Sequence, residues 1–172
     1  MSGVLESPFA KPPHVWNGLL YELTTANKGR TMKLNVSRTD TWAATVDDRP
    51  GGVADKLAAL AAAGANLELI IARRAPEQRG SGVVFVTPLK GAKQIKAAEA
   101  AGFMKTESLH SLRIQGIDQP GLGAKLTRAL ADAGINLRGF SAAALGKQHV
   151  THLALDTTQD AAKAAATLKR LA

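Results

Sequence analysis

The sequence predicts an α+β chain made of two copies of one βαββαβ unit. Each copy places its helices on one face of an antiparallel sheet, and the second copy lacks its own last strand. Three observations predict this. Residues 48–67 read DRPGGVADKLAALAAAGANL and residues 118–137 read DQPGLGAKLTRALADAGINL, seventy positions apart, with eleven of twenty residues identical and no gap. That period is too long for a solenoid repeat and suits a small duplicated domain. The third observation is order: alternating and helix-spaced segments follow one another in the same sequence in both copies.

Taken along the chain, residues 1–40 form an N-terminal extension. Pro8, Pro12 and Pro13, with Lys11 and His14, break any period and mark a tail or loosely docked arm. Met32 lies just ahead of the regular sequence, which leaves open that the first thirty-one residues precede the natural start. Lys33 to Ser37 alternates and is read as a strand.

The first copy occupies residues 41–109. Thr41 to Asp47 alternates, with Trp42, Ala44 and Val46 on one face. After the Pro50-Gly51 turn, Val53, Leu57 and Leu60 recur at helical spacing up to Gly64, a left-handed cap. Asn66 to Arg74 and Gly82 to Thr87 are strands joined by a hairpin loop. Gly91 to Ala101 is a helix, and Phe103 to Leu109 a short strand.

The second copy occupies residues 110–172. Ser111 to Ile117 is a strand, Leu122 to Ala133 a helix ending at Gly134, and Asn136 to Leu145 and Gln148 to Asp156 a hairpin about Gly146-Lys147. Gln159 to Leu171 is the last helix. With no closing strand after it, the second sheet is either one strand short or completed by Lys33 to Ser37 crossing over, and the crossover is favoured because it orders the N-terminal segment.

Composition narrows the function classes. The chain has 172 residues and no cysteine, so disulfides, thiolate metal sites and a Cys nucleophile are excluded. No apolar run approaches a membrane span and no secretory signal is present, so a cytoplasmic protein without membrane attachment is expected. The formal charge of +8 invites a nucleic-acid reading, but aromatics are only 4% of residues, too few for stacking platforms. Lys90, Lys93 and Lys96 are read as a solvated helix face. His149 and His152 lie three apart on a strand and point to opposite faces, so no shared metal is expected. Nothing pairs a nucleophile with its base, which points away from an enzyme and from any cofactor.

The repeated phrase has a physical reading of its own. Asp48 and Asp118 can accept from backbone N–H groups as turn or N-cap residues, and Pro50 and Pro120 fix φ. Gly51 and Gly121 permit positive φ or close approach. Behind them stands a helix start suited to a carboxylate. Asn66 and Asn136 offer a donor and an acceptor beyond the helix end. The same residues also serve any short strand–helix–strand connection, and both readings stand at this point.

The phrase D-x-P-G, an Ala/Leu helix and G-x-N-L within a βαββαβ unit resembles the ACT domain, an amino-acid-sensing module with a ferredoxin-like fold. The resemblance covers Thr41 to Ala172. A chain of two such units is similar to free-standing tandem regulators such as the glycine cleavage repressor family. It implies side-by-side pairing into a continuous sheet, a homodimer, and a small amino acid or related carboxylate bound at the pairing interface. The site residues it implies are Asp48, Pro50, Gly51, Gly52 and Asn66 in the first copy. In the second they are Asp118, Pro120, Gly121, Leu122, Gly123 and Asn136. The turns differ, Gly51-Gly52-Val53 against Gly121-Leu122-Gly123, so the two sites are expected not to bind alike. The alternatives are a ligand-free dimerisation or protein-interaction module and, with less support, a basic RNA-associated protein.

Overall fold

The computed structural model describes residues 33–75 and 77–171. The tail expected around Pro8, Pro12 and Pro13 lies outside them. Two four-stranded antiparallel sheets each carry two helices, the predicted α+β class. The first sheet contains β2 (Trp42–Asp47), β3 (Leu69–Arg74), β4 (Ser81–Thr87) and β5 (Met104–Lys105), in the order β3-β4-β2-β5. Its helices are α1 (Gly52–Ala62) and α2 (Gly91–Ala100). The second contains β1 (Leu34–Thr39), β6 (His110–Ile117), β7 (Gly139–Leu145) and β8 (Gln148–Leu155), in the order β1-β6-β8-β7, with α3 (Leu122–Asp132) and α4 (Thr158–Lys169).

The second sheet takes its fourth strand from the segment before the first copy, as the crossover reading expected. β1 runs antiparallel to β6 with Val36 opposite Ile114 and Thr39 opposite Ser111. The alternation of β1 explains its capture, because Val36 is buried in the second core while Asn35 and Ser37 face away. β5 occupies the matching place in the first sheet and is only two residues long, shorter than the predicted strand over 103–109. Gly102 turns the chain out of α2 at φ 81°, and Phe103 is consumed as a core residue rather than a strand residue.

β1 leads into β2 through two residues, Asp40 and Thr41, and β5 leads into β6. Each of these two stretches therefore crosses from one sheet to the other. They run side by side at the crossing, where Thr106 N–H donates to the Thr41 carbonyl at 3.0 Å.

Each sheet buries one face under its helices. Trp42, Val84, Val86, Leu60 and Phe103 fill the first core, and Leu112, Ile114, Leu126, Leu130 and Leu153 the second. Truncating one fully buried leucine of this kind costs about 2–5 kcal/mol.

Candidate functional site

The two D-x-P-G turns lie where the sequence places them, between the first strand of each copy and its first helix. Gly51 and Gly121 are the N-cap residues, in the left-handed region at φ 88° and 77°. Asp55 N–H donates to the Gly51 carbonyl and Lys125 N–H to the Gly121 carbonyl, which starts each helix. Among the described residues no side chain caps either helix, whereas the Thr157 hydroxyl accepts from Asp160 N–H at the start of α4. The expected capping by Asp48 is not made: Arg74 Nε donates to its carboxylate at 3.0 Å. Asp118 caps nothing either. Both aspartates instead tie the hairpins by their backbones, Asp48 N–H to Gly80 and Asp118 N–H to Lys147.

The two turns are built differently. A Cβ on Gly52 would stand 2.3 Å from the Asp47 carbonyl oxygen, so the first turn closes onto its own backbone. Leu122, at the matching position, buries its side chain in the second core. Gly123 would meet only the Phe140 ring edge at 3.9 Å. Pro50 and Pro120 are exposed at the turn corners.

Asn66 and Asn136 are exposed and precede their strands by three residues, since β3 begins at Leu69 and β7 at Gly139. The strands start later than predicted because Gly64 and Gly134, at φ 81° and 66°, are followed by a short connection that sinks Leu67 and Leu137 against the cores. Within one copy the turn and the asparagine are not brought together. They flank an eleven-residue helix, about 16 Å at 1.5 Å per residue. A single small ligand cannot touch both in one copy.

Sequence reasoning missed a second place. A cleft of about 290 Å³ opens where the two sheets meet, lined by Arg38 and Thr39 of β1, Glu68 ahead of β3, Lys90 ahead of α2, Arg113 of β6 and His152 of β8. Arg113 Nε donates to the Glu68 carboxylate, an ion pair joining the two copies, and its NH1 donates to Gln115 at 2.9 Å. Thr39 and Thr87 share a hydroxyl–hydroxyl bond of 2.7 Å across the same seam.

His152 stands opposite Arg113 in the β6–β8 register, and His149 opposite Gly116. The histidines face opposite sides of the sheet as expected, yet both are buried. Neither ring nitrogen of His149, nor Nε2 of His152, has a partner among the described residues. Burial first, then the Arg113 guanidinium, holds the His152 imidazole below its ordinary range, with Glu68 acting in the other direction.

No protein-family model matches this sequence, and no curated protein matches it. Solved structures do. The regulatory subunit of aspartate kinase from Thermus thermophilus, in a ligand-free form, is 18% identical with a TM-score of 0.58, over 83% of this chain and 99% of that one. A protein from Bacteroides thetaiotaomicron is 14% identical with a TM-score of 0.66, over 78% and 90%. The corresponding aspartate kinase regulatory subunit of Thermus flavus is 14% identical with a TM-score of 0.55, over 83% and 99%. At these identities the likeness is one of fold, and the fold is the tandem ACT-like, ferredoxin-like arrangement that the repeated phrase pointed to.

Proposed function

We propose that this chain is a non-enzymatic regulatory protein of the cytoplasm that binds a small amino acid or related carboxylate between paired ACT-like units. The observation that carries the reading is the pair of uncapped helix starts behind Gly51 and Gly121. Gly52 N–H and Leu122 N–H are met by the Arg49 and Gln119 carbonyls, and a ligand carboxylate supplies an acceptor with favourable charge to the N–H groups that follow. The likeness to regulatory subunits supports the same class.

Because turn and asparagine lie at opposite ends of one helix, one copy cannot complete the site. An antiparallel neighbour would bring its Asn66 or Asn136 to the turn of the first, so the binding species is an oligomer, the simplest being a homodimer. Ligand binding then stabilises that pairing by its differential affinity for the paired state.

A thermal-shift screen against the amino acids tests this. A ligand at about one hundred times its Kd adds roughly 2.7 kcal/mol to stability. A flat response to every amino acid at millimolar concentration contradicts the reading.

The second reading, a pairing module without ligand, has one observation in its favour. Among the described residues β3 and β7 each pair on one side only, and the large side chains Ile70 and Phe140 are 47% and 37% exposed on them. These are matching positions in the two copies, and a strand edge with apolar neighbours invites another strand. A stable dimer, or a complex with a regulatory protein partner, that no amino acid strengthens would favour it.

A further inference from the structure

We propose that the cleft between the two sheets is a binding site for a short dicarboxylate, separate from the turns. Its charged lining is three cations, Arg38, Lys90 and Arg113, against one carboxylate, Glu68. One oxygen of the Glu68 carboxylate is already held by Arg113, so the cations of the lining outnumber its carboxylate. Arg38 and Lys90 are exposed lining residues whose side chains make no hydrogen bond or ion pair with the described residues.

His152 forms part of the cleft wall. It is 7% exposed, and its Nε2 has no partner among the described residues. That nitrogen is itself closed to solvent, so an anion in the cleft acts on the ring from beside it. The cations come from both sides of the seam: Lys90 precedes α2 of the first copy, while Arg38 and Arg113 belong to the second sheet. A ligand negative at both ends bridges that seam, and the volume, at the lower edge of small-molecule pockets, fits a chain of a few carbons.

Duplication supplies a built-in comparison. The cross-strand pair Arg113–His152 has the pair Ala43–Phe85 at the matching place in the first sheet. The Arg–His pair at the wall of the cleft therefore has an apolar counterpart in the first sheet. Occupancy would fasten one sheet to the other through groups from each.

Imidazole NMR with succinate at constant ionic strength tests the proposal. The His152 signal is identified by its absence in His152→Gln. Succinate should move that signal saturably. The double variant Arg38→Gln/Lys90→Gln, both side chains exposed, should melt as the wild type does without succinate and bind succinate more weakly by roughly tenfold or more. An unmoved His152 signal, or undiminished binding by the double variant, overturns the site. Inorganic phosphate moving the signal as strongly as succinate overturns the dicarboxylate assignment. An amino acid bound at the turns leaves His152 unmoved, so failure here and failure of the turn reading are told apart.

Discussion

Thr41 Oγ1 and Ser111 Oγ lie 2.8 Å apart, both buried, and the two residues hold the same position in the two copies, seventy residues apart. A contact between equivalent positions marks the pseudo-twofold axis of the duplication, and here that axis passes through a hydrogen bond where the chain crosses between the sheets. Thr41→Val removes one partner and strands the Ser111 hydroxyl, and it should lower unfolding free energy by about 1–3 kcal/mol in urea titration. Thr41→Val combined with Ser111→Ala should cost less than the sum of the two single changes.

The crossing strand β1 is the second test of this architecture. Val36 is 8% exposed and packs in the second core, although it precedes the first copy in sequence. Val36→Asp buries an unpaired charge and should destabilise by about 3 kcal/mol or more. Hydrogen exchange should show the loss first in β6, whose residues from Ser111 to Gly116 face β1, with β4 retaining protection for longer.

The element order, the left-handed glycines and the borrowed strand were legible in the sequence because each has a local signature. Alternation around Val36 and Trp42, helical spacing through Leu57 and Leu60, and glycine after each first helix need no tertiary context. The cleft was not legible. Arg38, Glu68, Lys90, Arg113 and His152 come from five separate segments, and each reads singly as a solvated charge or a lone strand histidine. Facing opposite sides of a strand correctly separated His149 from His152. It did not reveal that both sides are covered. Asp48 was misread as a cap because an aspartate three residues before a glycine N-cap fits a turn motif, and only the fold shows Arg74 in reach of it.

The two turns give opposite responses to the same substitution. Gly52→Ala drives a Cβ to 2.3 Å from a backbone carbonyl and should cost about 1–3 kcal/mol. Gly123→Ala meets only the Phe140 ring at 3.9 Å within a helix and should be neutral or gain up to about 1 kcal/mol. Chemical denaturation of the two variants side by side checks this.

His152 sets a pH dependence. Arg113 from β6, Glu68 ahead of β3, Arg38 from β1 and Lys90 ahead of α2 are the charged groups around it. Its folded pKa lies below the unfolded value, so the unfolded chain binds more protons as acid is added. The stability it contributes is complete above the unfolded pKa of about 6.5 and is lost as pH falls through the folded value. Wild-type stability should fall as pH drops below about 6.5, and the loss should be smaller in His152→Gln.

The claim that an amino acid is held between a turn of one unit and the asparagine of another is tested most directly by calorimetric titration of the best amino acid from the thermal screen into the wild type, Asn66→Ala and Asn136→Ala. Both asparagines are exposed, so the variants should melt as the wild type does without ligand. The account predicts saturable binding that at least one of the two variants weakens by roughly tenfold or more. Absence of binding by any amino acid, or undiminished affinity in both variants, would contradict it.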